Sequence, residues 1–409
     1  MRLTIERLGH LGDGVAHRPD GVPVFVPGAL PGEVVEAEVS GERATSLRIL
    51  APSSDRVAAP CPHYRGCGGC SLMHASDRFI AGWKAEVVRS ALLAQGLDAP
   101  FRPVITSPPR SRRRATLAGR RTRSGVLVGF HGRASGMISA VTGCLLLHPD
   151  LLAVLPALEA VTGLGASRKG EMALAITLTD GGVDLAVDGG KPLDQSLFSA
   201  LSALAAEAGL ARVAWNGEAV VTLRPPQQSF GAAHVTPPAG AFLQATREGE
   251  TALLGAVTEA VAGAAFLADL FAGAGTFALP LAARAEVHAV EGDARMLAAL
   301  ASGWRQAAGA GLRRLTHEAR DLFRRPLLAT ELARYGAVVI DPPRAGAEAQ
   351  ARELAASTVP VIAAVSCNPV TFARDARILT AGGYRIDWLQ VVDQFRWSPH
   401  VELVARFSR

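Results

Sequence analysis

Ala265-Phe-Leu-Ala-Asp-Leu-Phe-Ala-Gly-Ala-Gly-Thr276 is an apolar run carrying one acid and closed by two glycines. A short run of this kind, bounded by glycine and followed by helix-compatible residues, reads as a buried strand feeding an apolar helix. Glycine in the connecting turn lets backbone come close to a ligand. Three more short apolar runs follow: Val287-His-Ala-Val290, Ala337-Val-Val-Ile340 and Val361-Ile-Ala-Ala-Val365, with helix-compatible stretches between them. Just upstream, Glu248 to Val261 has helical spacing. The alternation predicts an α/β fold with a doubly wound, mostly parallel sheet, binding its ligands at the carboxyl ends of the strands.

Gly-x-Gly alone is equally compatible with ordinary strand-to-helix packing. The acids that follow narrow the choice. Glu291 closes the second strand about 20 residues on, where a carboxylate accepts hydrogen bonds from both ribose hydroxyls of a nucleoside-bearing cofactor. Asp321 follows a further strand candidate between the second and third of these runs and is placed to meet an adenine edge, and Asp341-Pro-Pro-Arg344 follows Ala337-Val-Val-Ile340. A dinucleotide dehydrogenase shares the early acid, but it usually shows a full Gly-x-Gly-x-x-Gly and has no need of an Asp-Pro-Pro turn.

Outward from this region the chain is 409 residues long, enough for about two to three domains. Apolar residues at 49% against 19% charged permit large cores and argue against general disorder. No apolar stretch approaches the length of a bilayer span, and the start, Met1-Arg-Leu-Thr-Ile-Glu6, puts charge inside any signal-peptide core. A soluble, cytoplasmic protein is expected. Residues 1–55 carry short β-type runs, Val22-Pro-Val-Phe-Val26 and Val34-Val-Glu-Ala-Glu-Val39, separated by Gly12-Asp-Gly, Asp20-Gly and Pro27-Gly. They fit a small barrel of the oligonucleotide-binding kind. Residues 56–240 read as a mixed α+β region, and 241–409 as the α/β domain.

The central region holds two clusters. Seven arginines between Arg110 and Arg123 fit either a polyphosphate partner or a solvated strand and turn. Of five cysteines, Cys61, Cys67 and Cys70 lie within ten positions, while Cys144 and Cys367 stand apart. In a cytosolic chain such clustering points to metal or catalysis before disulfides. On spacing, thiolates at 61, 67, 70 and 144 suit either zinc or a 4Fe–4S cluster.

Asp269-Leu-Phe-Ala-Gly-Ala-Gly275, Glu291, Asp341-Pro-Pro-Arg-Ala-Gly346 and Val365-Ser-Cys-Asn-Pro369 together resemble the RNA 5-methyluridine methyltransferases. Cys61-x5-Cys67-Gly-Gly-Cys70 with Cys144 resembles that family's iron–sulfur ligand set, and the first 50 or so residues resemble its TRAM domain. The likeness spans nearly the whole chain and is weakest between 150 and 225. It implies a Rossmann-like, S-adenosyl-L-methionine-dependent methyltransferase domain, a 4Fe–4S cluster on Cys61, Cys67, Cys70 and Cys144, and RNA as partner. It favours 23S rRNA over tRNA, and a monomer.

Uracil C5 is too weak a nucleophile to take a methyl group from S-adenosyl-L-methionine unaided. Addition of a thiolate to C6 makes the ring an enolate and C5 electron-rich, so such an enzyme needs a Cys beside the methyl donor. Cys367 ends an apolar strand, and Asn368-Pro369 turns the chain just past it. Read alone, it is equally a small core residue; with the resemblance it is the nucleophile. By the same likeness Glu402 is the base that removes the C5 proton, and Gln244 and Phe271 are cofactor contacts. Asp341 is a pocket acid for cofactor or target base. Arg396-Trp-Ser-Pro399, Thr246 and Thr276 depart from the family's usual residues. A cytosine-C5 methyltransferase, or a non-catalytic RNA-binding protein with a vestigial methyltransferase fold, would share several of these features.

Overall fold

A computed structural model describes residues 1–133 and 135–409. The expected sheet is present. Across it the strands run Leu315–Ala319, Glu286–Glu291, Phe266–Leu270, Ala337–Ile340, Val361–Ser366, Leu403–Ser408, Arg385–Asp393 and Ile105–Thr106. The first five are mutually parallel, and Leu403–Ser408 is antiparallel to both its neighbours. Strand order reverses between Phe266–Leu270 and Ala337–Ile340, which opens the crevice where doubly wound sheets bind ligands. The central strands are almost wholly buried, as their unbroken apolar runs require. Helices cover both faces, so two apolar clusters form, one on each side of the sheet.

Two features near the decisive glycine run differ from the sequence reading. The helix after Gly275 shrinks to Ala278–Leu281 and carries Pro280. The turn before it is strained: Phe271, a non-glycine, has φ +62°, beside Gly273 at +55° and Gly275 at +98°. A bulky residue held in the left-handed region costs energy, and such positions concentrate at ligand sites.

The N-terminal six-stranded sheet closes into a barrel. Its opening segment pairs first with Val34–Ser40, through Arg2–Thr4, and then with Gly14–His17, through Arg7–Leu8. A separate seven-stranded sheet runs from Arg114–Arg121 to Glu218–Thr222, with helices Leu155–Gly165 and Gln195–Glu207 packed on it.

Sequence separation hides one connection. Helix Asp77–Leu93 packs on Pro369–Ala381, and Ile105–Thr106 adds the last strand of the eight-stranded sheet. Lys84 Nζ reaches Asp393 Oδ1 at 2.5 Å and the Phe395 carbonyl at 3.1 Å, with both charged side chains fully buried. A buried charge left without its partner costs about 3–5 kcal/mol, so this pair locks the helix to the end of Arg385–Asp393.

The arginine segment is the main correction. Arg113 is buried, with Nε on the Gln244 carbonyl at 3.0 Å and an ion pair to Glu250 at 2.5 Å. Arg114 donates to the Leu243 carbonyl and lies over the Phe242 ring. Arg112 donates to the Arg114 carbonyl, and Arg120 pairs with Glu171. Arg110, Arg121 and Arg123 are solvent-facing, and the Arg120 side chain is also largely exposed beside Glu171. Arg113 and Arg114, in the middle of the run, brace the junction between two sheets, so the run is no continuous phosphate track. Among the described residues no helix is long and apolar enough to cross a membrane.

Candidate active site

Six of the residues singled out by sequence end six adjacent strands in spatial order. Asp321, Glu291, Phe271, Asp341 and Cys367 lie at or just beyond the carboxyl ends of the five parallel strands, and Glu402 immediately precedes the antiparallel sixth. Neighbouring strands are about 4.8 Å apart, so this edge presents an extended row of functional groups along one crevice.

The end of the crevice around Glu291 and Asp321 is built from backbone turns. Glu291 Oε2 accepts from the Gly273 N–H and Oε1 from the Asp293 N–H, both at 2.8 Å, which fixes its carboxylate beside the glycine turn. Asp321 Oδ1 accepts from the Phe323 N–H at 3.0 Å. Phe323 is about half exposed, and its ring lies 5.4 Å from that of Phe271. This aromatic pair beside an acid suits a purine; Phe323 lies outside the sequence reading, since no motif marks it. Asp269, one strand-step below, is fully buried, and neither carboxyl oxygen has a hydrogen-bond partner among the described residues. Burial, then the charge of Asp341, pushes its carboxyl well above the usual carboxylate range.

The reactive end forms where the antiparallel strand joins. Ser366 pairs with Leu403, so the next opposed residues are Cys367 and Glu402, placed side by side by register. Asp341 donates its N–H to the Leu270 carbonyl at 3.2 Å, which seats it at the strand-order reversal. Burial pushes the Cys367 thiol up to about 11, and the charges of Glu402 and Asp341 add to the rise while Arg344 opposes it. Burial likewise raises the carboxyls of Asp341 and Glu402, and the Asp341 charge raises Glu402 further. The thiol, the two acids and the guanidinium thus lie near enough to act on one another electrostatically. Cys367 itself is only partly buried, so it is not sealed in hydrocarbon.

Local sequence explains the setting of Cys367. Asn368 caps helix Pro369–Ala381 by accepting from the Val370 N–H, with Pro369 in the first turn. The thiol therefore sits at a helix N-terminus, where a thiolate is favoured. The Arg344 carbonyl accepts from Asn368 Nδ2 at 2.9 Å and Thr371 Oγ1 at 3.1 Å, and the Arg344 guanidinium donates to His400 Nδ1 at 3.2 Å. The Asp-Pro-Pro-Arg turn and the Cys-Asn-Pro turn are thus one hydrogen-bonded unit.

A match to the TRAM domain model covers residues 1–48, and a match to the tRNA (Uracil-5-)-methyltransferase model covers 306–408. The 23S rRNA (uracil(1939)-C(5))-methyltransferase RlmD of Halomonas elongata is 38% identical over 98% of this chain and 88% of its own. The chain belongs to the RNA (uracil-C5) methyltransferase family. An RNA methyltransferase of Brucella suis is 46% identical over 100% of this chain and 98% of its own. Among solved structures, the tRNA (uracil-54, C5)-methyltransferase of Pyrococcus abyssi, in complex with S-adenosyl-L-homocysteine, superposes with a TM-score of 0.74 at 21% identity. It covers 100% of this chain and 99% of that one. The fold is therefore the S-adenosylmethionine-dependent methyltransferase fold with an N-terminal TRAM domain, and the protein is a methyltransferase enzyme of this family.

Where the chain departs from family expectations, Thr246 serves the fold locally. It caps helix Arg247–Ala260, and its hydroxyl meets Ser107 Oγ at 2.7 Å. In the divergent segment Trp397 has φ +60°, and its carbonyl accepts from the Ser71 and Leu72 N–H groups. Arg396 pairs with Asp77 at 2.5 Å. Both contacts tie the stretch before Glu402 to the cysteine-bearing loop and the helix after it.

The remaining cysteines lie apart from this site. Cys61, Cys67, Cys70 and Cys144 are all free thiols lining one mainly apolar cavity with Met73, Phe130, Val141 and Leu146. Burial first, and then the charges of the neighbouring cysteines, pushes Cys70 up to about 12, and burial raises Cys67 too. Backbone N–H groups of Gly69 and Leu146 point at the sulfurs of Cys67 and Cys144, each at 3.4 Å. Among the described residues no three His, Cys, Asp or Glu side chains converge as ligands of a single ion.

Proposed function

We propose that the enzyme methylates C5 of a uridine in 23S rRNA through a transient bond between Cys367 Sγ and C6 of the ring. The observation that carries this reading is the strand register that sets Cys367 beside Glu402, with Asp341 and Arg344 near enough to act on them electrostatically. S-Adenosyl-L-methionine supplies the methyl group as a cation equivalent. Gln244, Phe271, Glu291, Asp321 and Asp341 line its place, Glu291 facing the ribose and Asp321 the adenine. Cys367 adds to C6 while Arg344 and the helix N-terminus favour its thiolate. Once C5 is methylated, Glu402 takes the C5 proton and the sulfur leaves. The target base must leave its stack to reach this edge, which suits loop or single-stranded RNA. We divide the chain at 1–55, 56–240 and 241–409, with the barrel as a second RNA-binding surface.

The preference for 23S rRNA rests on the Halomonas relative and on the TRAM and cysteine features together. Unmethylated 23S rRNA and tRNA transcripts, offered in competition with labelled methyl donor, separate the cases. Label in 5-methyluridine of the 23S transcript is the expected result; label confined to tRNA overturns the assignment.

Cys61, Cys67, Cys70 and Cys144 are the proposed ligands of a 4Fe–4S cluster. In support, burial and the neighbouring cysteines raise the ionisation cost of Cys67 and Cys70, which a cation among the four sulfurs would offset, and the N–H groups at Cys67 and Cys144 suit sulfurs carrying negative charge. A tetrahedral zinc site would draw its thiolates to about 3.8 Å from one another, given Zn–S bonds of about 2.3 Å. Cys61, Cys67, Cys70 and Cys144 line one cavity, and the family resemblance favours a 4Fe–4S cluster over a single zinc ion there. Anaerobically purified protein is expected to contain iron and acid-labile sulfide in equal amounts, and Cys144→Ser to lose both. Stoichiometric zinc without sulfide in the wild type would sink the proposal.

A further inference from the structure

We infer that Gln394 is a positioning residue for both halves of the reaction, holding the base Glu402 on one side and the cofactor-side Gln244 on the other. The inference rests on the reading of Glu402 as the C5 base. Gln394 is buried, and its amide is almost fully engaged. Nε2 donates to Gln244 Oε1 at 2.5 Å and to Glu402 Oε2 at 3.0 Å, and Oε1 accepts from the Ala245 N–H at 2.7 Å. A carboxylate can only accept and a backbone N–H can only donate, so this network admits one orientation of the amide.

The backbone around it is held as firmly. Asp393, the preceding residue, carries the buried ion pair to Lys84 and accepts the Phe395 N–H at 3.0 Å. On the opposite side a Cβ at Gly249 would lie 2.6 Å from the Gln394 Cβ, so glycine there is what lets the helix come this close. The Gln244 backbone is fixed in turn, its carbonyl accepting Arg113 Nε at 3.0 Å. No part of Gln394 is left to meet RNA, so it acts through its two neighbours.

The consequence for chemistry is specific. With Oε2 tied down, Glu402 Oε1 is the oxygen that takes the proton. In that step the C5–H bond breaks, its electron pair forms the C5–C6 double bond, the C6–Sγ bond breaks, Cys367 departs as thiolate, and Glu402 carries the proton away. Glu402 must be ionised beforehand, against the rise that burial and Asp341 impose on it; the Gln394 N–H favours the ionised form and lowers that rise. At the other end, capturing Gln244 Oε1 leaves the Gln244 N–H groups as donors toward the cofactor.

Gln394→Met keeps volume but removes both donors. Proton removal is read by tritium release from RNA carrying 5-tritiated uridine. Adduct formation is read with 23S and tRNA transcripts containing 5-fluorouridine, from which no C5 proton can be lost. Tritium release is expected to fall about tenfold or more and to recover as pH rises, with its pH profile displaced upward by about one unit. The KM for S-adenosylmethionine is expected to rise, and adduct formation to change by less than about threefold. Should Gln394→Met fail to fold, Gln394→Glu is the second variant; it keeps the shape, and a second acid at Glu402 is expected to displace the profile in the same direction. Equal losses in both assays with an unmoved pH profile, or no loss in either, would overturn the role of Gln394 alone. Failure of the wild type to form any adduct would overturn the covalent reading and this inference with it.

Discussion

Replacing Cys367 by alanine is expected to abolish methyl transfer, with the rate falling by about 10³-fold or more, because no other group on this edge can add to C6. The side chain is small and only partly buried, so its loss leaves little cavity and the fold stands. Donor binding is expected to persist, since the residues proposed to face the donor lie on other segments of the chain. The measurement is paired: incorporation of labelled methyl into RNA, and a denaturing gel for the protein–RNA adduct with 5-fluorouridine RNA. Both signals should vanish together in Cys367→Ala. Persistent methylation without an adduct would make Cys367 the core residue that its strand position also allows. RNA binding with neither signal in the wild type would point to a vestigial active site.

Glu402→Gln separates the two halves of the reaction. Addition and methyl transfer need no base at C5, while release does. The variant is therefore expected to accumulate a methylated protein–RNA adduct on ordinary RNA, with turnover reduced about 10²–10⁴-fold. The pH dependence follows from the raised carboxyl. Wild-type turnover should climb with pH above the ordinary carboxylate range as Glu402 ionises, and Glu402→Gln should lack that limb. Stability runs the other way. A carboxyl whose folded-state value is raised contributes stability that is fully present below the unfolded value and is lost as pH rises through the folded one. The wild type therefore gains activity over the interval in which this group ceases to stabilise it. Flat turnover across that interval, with no adduct in Glu402→Gln, would remove Glu402 from the role of base.

Much of this is legible in the chain itself, for a definite reason. Each site residue on the crevice follows or opens a strand, and the strands before Phe271, Glu291, Asp341 and Cys367 announce themselves as short apolar runs closed within a few residues by Gly, Pro or Asn. Once those runs are placed in one sheet, Glu291, Asp341 and Cys367 must share an edge. Resemblance suggests the pairing of Cys367 with Glu402, and the antiparallel register supplies its physical basis. What escapes reading depends on contacts that no local pattern encodes. Lys84 meets Asp393 across 309 positions, and Gln394 meets Gln244 across 150. The arginine run misleads because composition reports charge without direction: Arg113 turns inward to Glu250 and the Gln244 carbonyl, and a buried guanidinium braces an interface where an exposed one would bind phosphate.

Helix Asp77–Leu93 and the strand Ile105–Thr106 belong by sequence to the middle of the chain and by packing to its far end. The catalytic half is consequently no portable cassette. A chimera that joins the last 170 or so residues of one family member to the front of another brings in a foreign helix opposite Asp393, and with it a foreign answer to the charge there. Recombination within the family therefore has to exchange Lys84 and Asp393 together, and the natural crossover lies before residue 77.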